Sequence, residues 1–163
     1  MPTAHGRRVR SIRGKFIFAA TVSATMREAV ETLFFFNPRQ PLLHHAITTT
    51  VARTGVPRLF ERDGMVWIDV PERAMQCLFI IDGSRKPPNP VAVALYERPT
   101  LDILAISHLA VDPAYALRGN RRSAGPGLLL IKKIMEIACC IKGVTRVQVP
   151  YRDGCFLRLG SLH

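Results

Sequence analysis

Leu109-Ala110-Val111-Asp112-Pro113, then Arg122-Ser123-Ala124-Gly125-Pro126-Gly127, then Leu128-Leu129-Leu130-Ile131-Lys132-Lys133-Ile134-Met135-Glu136 form the stretch on which the fold turns. The first piece ends an apolar, β-forming run that begins near residue 101. The second gathers small residues and glycines. In the third, Leu128, Ile131, Ile134, Met135 and, further on, Ala138 recur at helical spacing, with Lys132, Lys133 and Glu136 between them, so one face of a helix packs on a sheet. The pattern predicts a helix over 127–142 closed by Gly143, followed by a strand over 145–151. Such a crossover makes 101–111 and 145–151 parallel neighbours and brings the helix N-terminus to the C-terminal end of the first strand. That is where an open α/β sheet receives a ligand. Glycines let a backbone close on a pyrophosphate, and the unpaired amides and dipole of a first helical turn favour its negative charge.

Outward from this core, residues 15–23 read as a strand and 25–36 as a helix, with Thr25 as cap, Glu28 completing a capping box and Asn37-Pro38 as the stop. A second helix is expected over 42–53, ended by Gly55 and Pro57, although its β-branched stretch 48–51 works against it. Four β-rich runs at 65–70, 74–81, 91–96 and 101–111 then read as an antiparallel meander. The order is strand, two helices, meander, helix, strand. It predicts an α/β (α+β) fold with a mixed, mostly antiparallel sheet and a central β-loop-α-β crossover. A basic arm, 1–14, precedes one domain, 15–163, and no repeat of fixed period appears.

In this context Arg122, Gly125 and Gly127 resemble the central motif of the GNAT-type N-acetyltransferases: Gln or Arg, two residues, Gly, one residue, Gly or Ala. The resemblance covers residues 101–151, and the order of the upstream elements agrees with that fold. It implies binding of acetyl-CoA or CoA as co-substrate, with main-chain groups of Leu109, Ala110 and Val111 holding the pantetheine arm. Amides of Arg122, Ser123, Ala124, Gly125, Gly127 and Leu128 would hold the pyrophosphate. It also implies direct attack of a primary amine on the thioester, with no metal. Three departures stand out. Pro126 has no amide, the segment between Val111 and Gly125 is long and offers Gly119 as a second glycine pairing, and twelve residues follow Tyr151 where the family adds a helix and two strands. Residues 152–160 resemble a shortened version of that helix.

Two residues are the candidates for proton transfer. His108 precedes the implied pantetheine contacts and titrates near neutral pH when unperturbed; its other reading is a structural histidine on the opposite strand face. Tyr151 follows the last expected strand, near where the family often places a tyrosine that reprotonates the departing thiolate, with Cys155 as a weaker candidate. Glu97 reads as a turn carboxylate or a remote base, Trp67 as core, and His44-His45 lack further ligands at metal spacing.

The bulk numbers limit the remaining classes. No apolar run reaches the roughly 18 residues of a membrane span, and the basic start is not followed by a secretory h-region, so a cytoplasmic protein is expected. Cys77, Cys139, Cys140 and Cys155 form no zinc or disulfide pattern, and the adjacent pair is expected to be buried in its helix. The net charge of +11 gathers in Arg7, Arg8, Arg10, Arg13 and Lys15, and in Arg118, Arg121, Arg122, Lys132 and Lys133. Such patches attract polyanions, and the competing function is an inactive acyl-CoA fold that binds nucleic acid or an acidic partner. A last strand left at the sheet edge calls for cover, and a homodimer is one way to supply it.

Overall fold

The computed structural model describes residues 16–116 and 125–160. The basic arm, Arg118, Arg121 and three residues of the glycine loop (Arg122, Ser123, Ala124) lie outside them. In chain order the elements are β1 (Phe16–Ala19), β2 (Val22–Ser23), α1 (Arg27–Phe34), α2 (His44–Thr54), β3 (Arg58–Arg62), β4 (Met65–Asp69), β5 (Gln76–Asp82), β6 (Asn89–Thr100), β7 (Ile103–Val111), α3 (Pro113–Ala116), α4 (Pro126–Cys139), β8 (Arg146–Gln148) and β9 (Phe156–Arg158). Short 3-10 turns at Ala24–Met26 and Gln40–Leu43 lead into α1 and α2. Six strands form one sheet in the order β1-β5-β6-β7-β8-β9, and β2-β4-β3 form a second, smaller one. All pairings are antiparallel except β7 with β8. The fold is therefore mixed α/β with a mostly antiparallel six-stranded sheet.

The large sheet is buried on both faces, which is why β5 and β6 read as unbroken apolar runs. On one face Leu78, Ile80, Ala92, Ala94, Leu104 and Ile106 meet Leu130, Ile134, Met135 and Ala138 of α4. On the other, Phe79, Ile81, Val93 and Leu95 meet Val30, Leu33 and Phe34 of α1 together with Val66 and Ile68 of the small sheet. The alternation along each strand sends successive side chains to opposite cores.

Several local expectations change. The strand expected over 15–23 breaks at Ala20-Thr21 and supplies one strand to each sheet. Ser23, not Thr25, caps the first helical turn, its hydroxyl accepting from the Thr25 amide at 3.4 Å. The β-branched stretch of α2 is helical all the same, and the hydroxyls of Thr50 and Thr54 are satisfied within it by donating to the carbonyls of Ala46 and Thr50, four residues back. The expected meander keeps β5, β6 and β7, but β4 belongs to the small sheet, paired with β3 across Asp63-Gly64. Both turn residues have positive φ, 52° and 73°, the two-residue hairpin turn that Asp-Gly favours.

Cys139 and Cys140 are exposed, not buried. The inward stripe of α4 runs through Ile134, Met135 and Ala138, so Cys139 points about 100° away from Ala138 and Cys140 is already the C-cap. Gly143 instead takes a positive φ of 90° in the turn beyond the helix. Residues 145–151 hold only the three-residue β8, and 152–160 hold β9 rather than a shortened helix. β9 covers the outer edge of β8, through Arg146↔Arg158, Val147↔Leu157 and Gln148↔Phe156, so the edge that called for a second copy is filled from within the chain. Among the described residues no helix is long and apolar enough to cross a membrane.

Ile134 is fully buried beneath the sheet. Ile134→Ala should lower the unfolding free energy by about 2–5 kcal/mol, whereas Cys139→Ala should change it by no more than about 0.5 kcal/mol; urea titration of both variants checks the assignment of the α4 faces.

Candidate functional site

The site begins where two parallel strands part. β7 and β8 pair only through Ile103↔Arg146, Leu104↔Val147 and Ala105↔Gln148. β7 then continues to Val111, while the chain after β8 turns off through Val149, whose amide donates to the Cys155 carbonyl at 3.0 Å. A bulge sits at the parting: Leu95 faces His108 but Tyr96 faces Ile106, which leaves Ser107 as the extra residue on β7. The bulge reverses the strand's phase. Before it Leu104 and Ile106 face α4; after it Leu109 and Val111 pack on that side while Ala110 joins the opposite core.

Asp112 donates to the Val91 carbonyl across β6, so in the antiparallel pattern residues 108, 110 and 112 bond to β6, and Leu109 and Val111 present their backbone groups to the open side. Two side chains occupy that side. The Leu109 amide donates to the Tyr151 hydroxyl at 3.2 Å, and the hydroxyl lies 3.5 Å from the Leu109 carbonyl. Asn37, buried at the end of α1, donates from its amide to the carbonyls of Leu33 at 2.9 Å and Val111 at 3.0 Å. Tyr151 holds a positive φ of 59°, a conformation that costs a bulky residue energy and tends to mark functional positions. Burial pushes its phenol pKa up, against a smaller lowering by the Leu109 backbone bond.

The first turn of α4 lies against the same strand end. Gly125 is its N-cap, extended and without a side-chain cap, and Pro126 stands at the first helical position, which a missing amide suits. Gly127 is closely packed: a Cβ there would meet Val111 Cγ2 at 3.1 Å, which would have to shift by a few tenths of an ångström, and Leu109 Cδ2 at 3.9 Å. The structure thus brings Leu109, Ala110, Val111, Gly125, Gly127 and Leu128 to one corner, with Tyr151 and His108 beside it. Arg122, Ser123 and Ala124 belong to the undescribed segment.

His108 is buried at 2% exposure. Its ring stands edge-on to Phe34 and Tyr151, with centroids 5.8 Å and 6.2 Å away, and its Nε2 has no hydrogen-bond partner. Burial, with the positive charge of Arg53 adding to it, pushes the imidazole down from 6.5 to about 4. At neutral pH it is uncharged and holds a proton only weakly.

Two cavities share Tyr151 as a wall. One, about 330 Å³, opens beside the parting strands and is lined by polar groups including Thr50, Arg53, Ser107 and Gln148. In it Glu97 lies in the fork of Arg73, which donates from Nε at 3.0 Å and from Nη2 at 2.7 Å. The other, about 280 Å³, lies between β7 and the α1–α2 connection. Glu97 is therefore an ion-paired carboxylate at the polar wall, Trp67 stacks on Phe60 at 6.0 Å in the small sheet, and no metal-ligating group forms among the described residues. Sequence reasoning missed Asn37 and Arg73 as parts of this region. Only Asn37 left a signal, as a polar residue ending an apolar helix face.

The depressed pKa of His108 has a signed consequence for stability. The unfolded chain protonates this histidine below about pH 6.5 whereas the folded chain keeps it neutral down to about 4, so the stability it contributes is present above 6.5 and lost as pH falls. The unfolding free energy of the natural chain relative to that of His108→Leu should fall by about 3 kcal/mol on going from about pH 7 to pH 4, measured by denaturant titration across that range. No family model matches this chain, and neither the curated proteins nor the solved structures contain a match to it.

Proposed function

We propose that this protein binds acetyl-CoA at the parting of β7 and β8 and transfers the acetyl group to a primary amine, in the manner of the GNAT-type N-acetyltransferases. The observation that carries the reading is the edge of β7 at Leu109 and Val111, which, among the described residues, no strand pairs and only the side chains of Tyr151 and Asn37 hold, set beside an uncapped helix N-terminus at Gly125–Leu128 and flanked by two cavities. An extended amide-bearing arm is held by strand-like main-chain bonds, and a pyrophosphate by helix-terminal amides. The order of elements, with an antiparallel β1-β5-β6-β7 sheet, a crossover helix and a parallel β8, supports the same family.

In this reading the polar cavity receives the amine. Its nitrogen lone pair attacks the thioester carbonyl carbon, the C–N bond forms, and the C–S bond breaks. The Leu109 amide is a donor for the developing oxyanion. Tyr151, kept protonated by burial, gives its proton to the departing thiolate and is restored by the proton that the newly acylated nitrogen sheds. The ammonium proton leaves before attack through the polar cavity, whose lining carboxylates are Asp153 and the Arg73-paired Glu97. Reorientation of Tyr151 releases the Leu109 amide, so one side chain both closes the empty edge and serves the reaction. Positioning and main-chain donors do most of the catalysis.

Isothermal titration should show one site for CoA and for acetyl-CoA per chain; absence of heat with both would sink the reading. Tyr151→Phe should bind acetyl-CoA within about threefold of the natural chain yet transfer to an amine about 100-fold more slowly, followed as thiol release.

A further inference from the structure

The cavity between β7 and the α1–α2 connection differs in character from its polar neighbour. Phe34, Leu42, Leu43 and Ile47 wall it opposite residues 108–111 of β7. Its amide side chains are already committed to the backbone: Asn37 to Leu33 and Val111, and Gln40 to the Phe34 carbonyl at 2.5 Å. What remains polar in the interior wall is His108, whose buried Nε2 is unpartnered, and the Tyr151 hydroxyl, which holds the Leu109 amide at 3.2 Å. At the rim, Leu42 is 78% and Leu43 38% exposed, so apolar surface at the mouth is left in water. Exposed Arg39 adds a cation there.

This distribution selects among ligand classes. A peptide or a nucleobase brings many donors and acceptors, and most would be buried here without partners, a costly arrangement. A chain of methylenes ending in one carbonyl brings one acceptor, matched by the orphaned His108 nitrogen and, once Tyr151 turns aside, by the Leu109 amide. It would also cover the exposed leucines, and each buried methylene adds to affinity. A neutral imidazole can carry its proton on Nε2 and donate it to a carbonyl oxygen.

We infer that this cavity accepts an acyl chain longer than acetyl, its carbonyl end at His108 and Leu109 and its methylenes running between Phe34, Leu43 and Ile47 toward the rim. The inference deepens the thioester reading and rests on it for what carries the chain; a free carboxylate, with Arg39 at the mouth, is the other source of the same chemistry.

Isothermal titration of the full chain with CoA, acetyl-CoA, octanoyl-CoA and sodium octanoate separates the cases. Octanoyl-CoA is expected to bind at least about tenfold tighter than acetyl-CoA. Ile47→Trp, which fills the cavity, and Leu43→Asp, at the rim where Leu43 is 38% exposed, should each bring that ratio toward one. Equal affinities for octanoyl-CoA and acetyl-CoA, or a ratio that survives both variants, would overturn the inference while leaving the acetyl-transfer reading in place. Binding of octanoate together with no binding of CoA or acetyl-CoA would do the reverse, keeping the acyl cavity and removing the thioester donor. If none of the four binds, both fall.

Discussion

Backbone N–H and C=O groups at the end of β7 have to be paired, and the neighbouring strand stops too early to do it. β8 accompanies β7 through Ala105 only. Beyond that point the chain satisfies Leu109 with a phenol from 42 residues downstream and Val111 with an amide from 74 residues upstream. An exposed row of strand donors and acceptors invites pairing with any extended chain. Here the two side chains hold it, and both are groups that can let go. A strand ladder would be far harder to open, because its bonds form and break together.

The same corner depends on how the two cores meet. α4 sits close enough to β7 that any side chain at position 127 would press on Val111, and the alanines at 92 and 94 beneath the helix leave room for it. On the other face α1 delivers Asn37 to the edge of β7 because Val30, Leu33 and Phe34 anchor its preceding turns. The extra residue Ser107 then changes which side chains of β7 face which core. Without that bulge His108 would turn to the α4 face and Leu109 and Val111 to the α1 face. The cavity, the buried imidazole and the seat of Gly127 therefore share one cause.

Much of the framework was legible in the sequence because it follows from short-range periodicity. The apolar stripe of α4, the continuous runs of β5 and β6, and the parallel relation of β7 to β8 all come from spacings of two or 3.6 residues. The hairpin of β3 and β4 was missed: Asp63-Gly64 carries its turn signal, but its strand 58–62, Arg-Leu-Phe-Glu-Arg, does not alternate polar and apolar residues and reads as a loop. The burial of Cys139 was misjudged for the opposite reason: an apolar neighbourhood in sequence spans the whole circumference of a helix, whereas only one side meets the sheet. The ends of elements were the weakest part, as with residues 149–151, where Tyr151 leaves extended geometry for a positive φ.

For the candidate site, sequence alone determined that an apolar strand, a glycine-containing junction and an amphipathic helix follow one another, and hence that Leu109, Val111 and Gly127 stand near each other. Those relations are local or pass through a single crossover, so pattern suffices to read them. It also carried the titratable candidates His108 and Tyr151 as residue types at plausible places. The tertiary structure alone decided what surrounds them: that His108 is buried and uncharged, that Tyr151 spans the gap to Leu109, that Asn37 binds Val111, and that a polar and an apolar cavity meet at one ring. Each of these rests on contacts between residues far apart in the chain, where distance, burial and direction are set by the packing of two cores on one sheet and leave no periodic trace.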